Sequence, residues 1–150
     1  MIIRSAKESD ITAILHLRNK LEENQLVNPT LITAELCRSY AMERGKGWVC
    51  YRHDELAGFG IVDFQDRHIW ALMVQPQYED FACSGKLHDI LLDWYFASAD
   101  GPLWLGTNQV AEDFFTGKGW HKAGITEDGE VRFEITKQKW QERHIREEAE

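Results

Sequence analysis

The stretch VQPQYEDFACSGKLHDILLDW, Val74–Trp94, decides how the rest of the chain is read. An apolar run, HIWALMV, enters it and stops at Pro76, and from Ser84 onward Leu87, Ile90, Leu91, Trp94 and Tyr95 mark one helical stripe. Between strand and helix lie two acids, Glu79 and Asp80, followed by the small residues Ala82, Ser84 and Gly85. Small side chains at a helix N-terminus let a ligand approach the backbone, where N–H groups point outward and the helix dipole favours an anion. Phosphate oxygens would reach the amides of Phe81 to Lys86, with Lys86 adding charge. The bland alternative is a tight connection whose small residues serve helix packing, and the pattern alone leaves both open.

Upstream, IIRSA reads as a short strand, with Ser9 or Asp10 capping a helix that carries Ile11, Ile14, Leu15 and Leu21. LEENQLVNPT reads as a loop broken by Asn28 and Pro29, and Thr30 is placed to cap a second helix with Ile32, Leu36 and Tyr40. GWVCYRH, LAGFGIVDF and HIWALMV, joined by short turns at DE and QDR, predict an antiparallel meander. Downstream, LWLGT is a strand, QVAEDFFTGKGW a short helix with Val110, Ala111, Phe114 and Phe115 on one face, and VRFEITK a strand in which Val131, Phe133 and Ile135 alternate. The predicted order is β α α β β β α β α β. The tail from about residue 141 is charged and reads as a frayed helix.

One domain is expected from 150 residues without a break in composition. With 43% hydrophobic residues the chain is globular, and its longest apolar runs fall short of the roughly 18 residues of a spanning helix. MIIRSAKESD lacks a signal-peptide core, so the expected location is the cytoplasm, without a membrane partner. Cys37, Cys50 and Cys83 have no metal-ligand spacing and read as reduced, mostly core thiols; no metal is expected. The net charge of −8, without clustered Lys and Arg, argues against nucleic acid and is compatible with a cationic small substrate.

The run V-x-P-x-Y-E-x-x-A-x-S-x-K-L, Val74–Leu87, resembles motif A of the GNAT superfamily of N-acetyltransferases, usually V-x-P-x-Y-Q-G-x-G-x-G-x-x-L. Asn108, Ala111 and FFTGKGW resemble that superfamily's next motif, N-x-x-A-x-x-x-Y-x-x-x-G-F, at matching spacing. GWV, WALMV, KLHDILLDWYF, LWLGT and GEVRFEI look like a bacterial subgroup of uncharacterised substrate. The resemblance covers the chain from Ile2 to about Lys137. It implies the GNAT-like acyl-CoA N-acyltransferase fold, an α/β (α+β) architecture with a mixed, largely antiparallel central sheet flanked by helices. It further implies an acetyl-CoA site: the backbone of Leu72, Met73 and Val74 along the pantetheine arm, Phe81, Ala82, Cys83, Ser84, Gly85 and Lys86 around the pyrophosphate, and Asn108 on the other side of the arm.

Two departures stand out. Glu79, Ala82 and Ser84 replace the glutamine and two glycines of the usual motif; a position needing φ > 0 would cost a non-glycine residue on the order of 1 kcal/mol. Phe115 stands where many members have a tyrosine that protonates the departing thiolate. Candidate bases are Asp63 at a strand end, His68 beside the cofactor strand, and Glu22 or Glu23 in a loop on the expected acceptor side. His88 reads as a packing or surface residue, as do His53, His121 and His144. Trp48, Trp70, Trp104 and Trp120 lie in or beside strands, as core or as walls for an amine.

The function expected first is transfer of acetyl from acetyl-CoA to a primary amine of a small molecule or peptide, directly within a ternary complex. A non-catalytic CoA-binding or sensing module on the same fold is the alternative, and an interaction domain without cofactor the third. A homodimer is plausible for this superfamily.

Overall fold

The computed structural model describes residues 1–25, 32–108 and 111–149. Its elements are β1 (Ile2–Ser5), α1 (Ile11–Gln25), α2 (Ala34–Arg38), β2 (Gly45–Arg52), β3 (Glu55–Asp63), β4 (His68–Val74), α3 (Cys83–Ser98), β5 (Leu103–Thr107), α4 (Glu112–Gly117), β6 (His121–Ile125), β7 (Val131–Ile135) and α5 (Lys137–Ala149). The class is the expected one, mixed α/β with largely antiparallel strand pairing. Two compact units are present, Met1–Tyr95 and Phe96–Glu150. No described helix is long and apolar enough to cross a membrane.

In the first unit β1, β2, β3 and β4 pair in sequence order, each antiparallel to the next. β3 is buried along nearly its whole length, which explains its continuous apolar run in place of strict alternation. His53 and Asp54 form the two-residue β2–β3 turn, both at positive φ (50° and 65°), one residue earlier than the sequence indicates. α1 buries Ile11, Ile14, Leu17 and Leu21 against Val49, Phe59, Ile61 and Ala71. Asp10 rather than Ser9 organises its start: Oδ2 accepts from the Lys7 amide at 2.7 Å and pairs with Arg4 at 2.7 Å.

The second helix is capped by Thr33, whose Oγ1 accepts from Leu36 N at 3.2 Å; Thr30, Asn28 and Pro29 lie outside the described residues. Leu36 is exposed, and Cys37 and Ala41 bury that stretch instead. The helix then widens into a π turn, Ser39–Glu43, closed by Arg44 N to Ser39 O at 2.8 Å.

α3 crosses β3 at Gly60, where a Cβ would stand 2.9 Å from Leu91 Cδ1. A side chain there would press on the end of Leu91, so glycine helps α3 sit close on the sheet. On α3, Leu87, Leu91 and Tyr95 are fully buried, as the stripe predicts.

In the second unit β7 pairs with β5 on one side and β6 on the other, all antiparallel. Phe115 of α4 packs on Trp120 and Phe133, with ring centroids 5.8 Å and 6.1 Å away. β6 was not anticipated: every residue of HKAGI is exposed, so no alternation marks it. The tail expected as a frayed helix belongs to α5, in which Trp140 is buried. Of the predicted short-helix residues, 109 and 110 lie outside the described part.

Candidate functional site

β4 ends at Val74, and the chain turns through a 3-10 segment, Pro76–Phe81, before α3. Four bonds fasten this turn to the start of β3. Gln75 N donates to Ala57 O at 2.8 Å, Gln75 Nε2 to Leu56 O at 2.7 Å and to Glu55 Oε1 at 3.2 Å, and Tyr78 Oη to Glu55 Oε2 at 2.5 Å. Buried Gln75 can be there because its amide is satisfied on both counts. The Tyr78 bond, then that from Gln75, holds the Glu55 carboxyl below its usual range, while Glu55 pushes the Tyr78 phenol up. Tyr78 is thus committed to positioning and is a poor proton donor.

Ala82, at φ 59° and ψ 21°, is left-handed, and it joins the end of the 3-10 segment to the first turn of α3. A left-handed residue after a right-handed turn aligns successive N–H groups into a concavity suited to anions. Of the two replaced glycines, only Ala82 lies at positive φ; Ser84 is inside the helix with no such demand. The condition for strain, a positive φ, is met at Ala82 alone. Gly85 is half-buried and Lys86 exposed at the helix start.

Ser84 Oγ lies 2.9 Å and 3.0 Å from the two carboxylate oxygens of Glu79. Cys83 is fully buried, and burial first, then its contact with Cys50, pushes its thiol up to about 12. A thiol held protonated there is no nucleophile at neutral pH. The side chains of Asp80 and Phe81 lie outside the described part.

Leu72, Met73 and Val74 are half-buried and stand opposite Gly60, Phe59 and Gly58 of β3. At Gly58 a Cβ would meet Met73 O and Val74 Cγ2 at 2.7 Å, so glycine lets the end of β4 lie close. Asn108 belongs to the second unit, where its Oδ1 accepts from Ala111 N at 3.3 Å ahead of α4.

At the other end of β4, sequence-distant residues form one cluster. Asp63 is fully buried and accepts from Arg44 Nε at 3.2 Å, Arg44 Nη2 at 2.9 Å and Gln65 N at 3.1 Å. His68 Nδ1 lies 3.3 Å from Asp63 Oδ2. Tyr40 stacks on Trp70 at 4.5 Å and 9°, the Arg44 guanidinium lies 4.7 Å over Tyr40, and His68 meets the Tyr40 edge at 6.4 Å. The π turn carries both Tyr40 and Arg44 to these partners. Asp63, Asp66 and His68 present atoms close enough to share a cation. Arg44 also donates to Asp66 at 2.8 Å and already supplies the countercharge, so the donor set is that of an ion-pair network.

Of the sequence candidates, Asp63 and His68 are brought together. Arg44, which sequence reasoning missed, binds across 19 residues, and no local pattern announces such a contact. His88 is fully buried with Nδ1 2.8 Å from Asp89 Oδ1, a core histidine. The side chains of Glu22, Glu23 and His144 lie outside the described part. Trp48 and Trp120 are buried, whereas Trp70 and Trp104 are half-buried, the latter under the Arg132 guanidinium at 4.2 Å. A cavity of about 220 Å³ in the second unit is lined by Thr116, Gly117 and Gly119 of FFTGKGW with Lys139, Glu142 and Arg143, and contains none of the candidate catalytic or cofactor-binding residues.

No protein-family model and no curated protein matches this sequence. Solved structures do. The chain superposes on a GNAT-family acetyltransferase of Staphylococcus aureus Mu50 with a TM-score of 0.76 at 14% identity, over 90% of this chain and 98% of that one. It superposes on the ribosomal-protein-alanine N-acetyltransferase of Brucella melitensis with 0.75 at 18%, over 91% and 99%. An aminoglycoside 6'-N-acetyltransferase complexed with coenzyme A gives 0.77 at 14%, over 91% and 97%. The fold is therefore that of the GNAT N-acetyltransferases.

Proposed function

We propose that this chain, acting as a single domain, transfers the acetyl group of acetyl-CoA to a primary amine of a small molecule or peptide in the cytoplasm. The observation that carries the reading is the Val74–Leu87 junction: a strand, an anchored turn, left-handed Ala82 and the N-terminus of α3 make an anion cradle where the motif resemblance puts the pyrophosphate. The pantetheine arm would lie along Leu72, Met73 and Val74. The reading involves no metal and no nucleic acid, and it is compatible with a homodimer.

In the transfer, the neutral amine attacks the thioester carbonyl, the C–N bond forms and the C–S bond breaks. His68 is the proposed base that takes the ammonium proton. Asp63 Oδ2, 3.3 Å from Nδ1, would pair with the imidazolium that results. Arg44 holds Asp63 in place with two hydrogen bonds. The high thiol pKa of Cys83 favours direct transfer over an acyl-enzyme. Phe115 has no proton to give, so the leaving thiolate takes one from solvent or another donor.

A CoA-binding module without catalysis is the second reading, favoured by Phe115 lying in an apolar ring cluster. Calorimetric titration with acetyl-CoA followed by a thiol-release screen over amines, amino acids, aminoglycosides and N-terminal peptides tests both. Acetyl-CoA binding with thiol release is expected; binding with silence across the panel supports the module, and no binding at millimolar cofactor removes both.

A further inference from the structure

Glu79 meets Ser84 across the junction with both carboxylate oxygens, at 2.9 Å and 3.0 Å from one hydroxyl. One hydroxyl has one proton, so the carboxylate shares it and is held against the first turn of α3. That turn has no acidic residue of its own, and its first intrahelical bond is Lys86 N to Ala82 O at 3.2 Å. The amides before it are those that any α-helix leaves without an intrahelical acceptor, and an anion there is stabilised by the dipole. Glu79 brings such an anion from the chain itself. The neighbouring Tyr78, bonded to Glu55, anchors the backbone from which Glu79 projects.

We infer that Glu79 sets the affinity of this loop for the diphosphate of the acyl donor: its carboxylate, seated by Ser84, competes for the helix terminus with the diphosphate. The inference rests on the CoA reading of the loop. Glu79 is exposed, so it can swing into solvent when a diphosphate arrives. Its effect is thus a weakened affinity rather than exclusion, and the usual glutamine of the motif, uncharged and of the same shape, would lack it. Ser84, in the place of a glycine, supplies the hydroxyl that seats the carboxylate.

The experiment is calorimetric titration of the full chain with CoA and with S-acetylpantetheine, which carries the thioester arm without a diphosphate. Three proteins are compared: the wild type, Glu79→Gln, and Glu127→Gln, which removes the same charge from an exposed turn in the second unit. Glu79→Gln is expected to tighten CoA about tenfold, the scale of one charge interaction near a surface. Glu127→Gln should leave CoA affinity unchanged, and all three proteins should bind S-acetylpantetheine alike. Equal tightening by Glu127→Gln, tightening toward S-acetylpantetheine, or no tightening by a Glu79→Gln protein that melts as the wild type does would each overturn the inference. If wild type and Glu79→Gln both ignore millimolar CoA, the CoA reading falls and takes this inference with it; CoA binding without a Glu79 effect removes the inference alone.

Discussion

Asp63 Oδ2 stands 3.3 Å from His68 Nδ1, at the start of the strand whose far end feeds the α3 loop. The ring lies beside a carboxylate forked by an arginine, outside hydrogen-bond geometry at Nδ1 but at ion-pair distance once the imidazole is protonated. His68→Ala is expected to lower kcat about a hundredfold or more, the usual contribution of a positioned base, with the Kd of acetyl-CoA unchanged. Asp63→Asn should lower kcat too, and the melting temperature as well, because it strips Arg44 of its buried partner. Steady-state kinetics beside calorimetry separates the two effects; an unchanged kcat in His68→Ala removes His68 from the chemistry.

Asp10 carries a predictable acid limb in stability. Hydrogen bonds from Arg4 first, then from the Lys7 amide and Tyr51, hold its carboxyl at about 2 against the ordinary 3.8. A carboxyl depressed by folding stabilises the native state fully above its unfolded pKa, and that contribution disappears as pH falls from 3.8 through 2. The magnitude is about 2 kcal/mol. Urea denaturation between pH 6 and pH 2 should show this loss in the wild type, and Asp10→Asn should be less stable at pH 6 with a flatter acid limb.

Much of the fold was legible because periodicity reports burial. HIWALMV and LWLGT coincide residue for residue with β4 and β5, and the Leu87–Tyr95 stripe marks the buried face of α3. β6 escaped because nothing in it is buried, and α5 read as fraying because Trp140 is its single buried anchor among the described side chains. His53–Asp54 escaped exact placement because neither residue is the glycine or asparagine that usually marks positive φ. The anion loop was visible as small residues at a strand–helix junction. The Asp63, Arg44 and His68 network was not, since its members meet only after the π turn swings Arg44 back over the sheet. The seating of Glu79 by Ser84 had a trace in the sequence, as an acid and a hydroxyl five residues apart, but no rule reads that spacing across a turn.

The two replaced glycines should respond oppositely. Ala82→Gly relieves a left-handed alanine and is expected to gain up to about 1 kcal/mol, the relief exceeding the entropy added to the unfolded chain. Ser84→Gly places glycine inside α3, where no positive φ calls for it, and is expected to cost about 1 kcal/mol. Paired urea titrations decide it, and a gain at both positions would mean that Ser84 is strained as well as Ala82.

Phe115 offers the last contrast, between packing and chemistry. Its ring is 7% exposed and lies against Phe114, Trp120 and Phe133, so a tyrosine hydroxyl must find a partner at the rim of that cluster or be buried without one. An unsatisfied hydroxyl costs about 1–3 kcal/mol. If protonation of the departing thiolate limits the reaction, Phe115→Tyr is expected to raise kcat at saturating acetyl-CoA while lowering the melting temperature of the cofactor-free chain, and CoA should restore part of that loss. Phe115→Leu, which supplies neither proton nor hydroxyl, is the control and should leave kcat where it is. Turnover by Phe115→Tyr equal to that of the wild type, with the same fall in melting temperature, would assign the proton to solvent and leave Phe115 with a packing role alone.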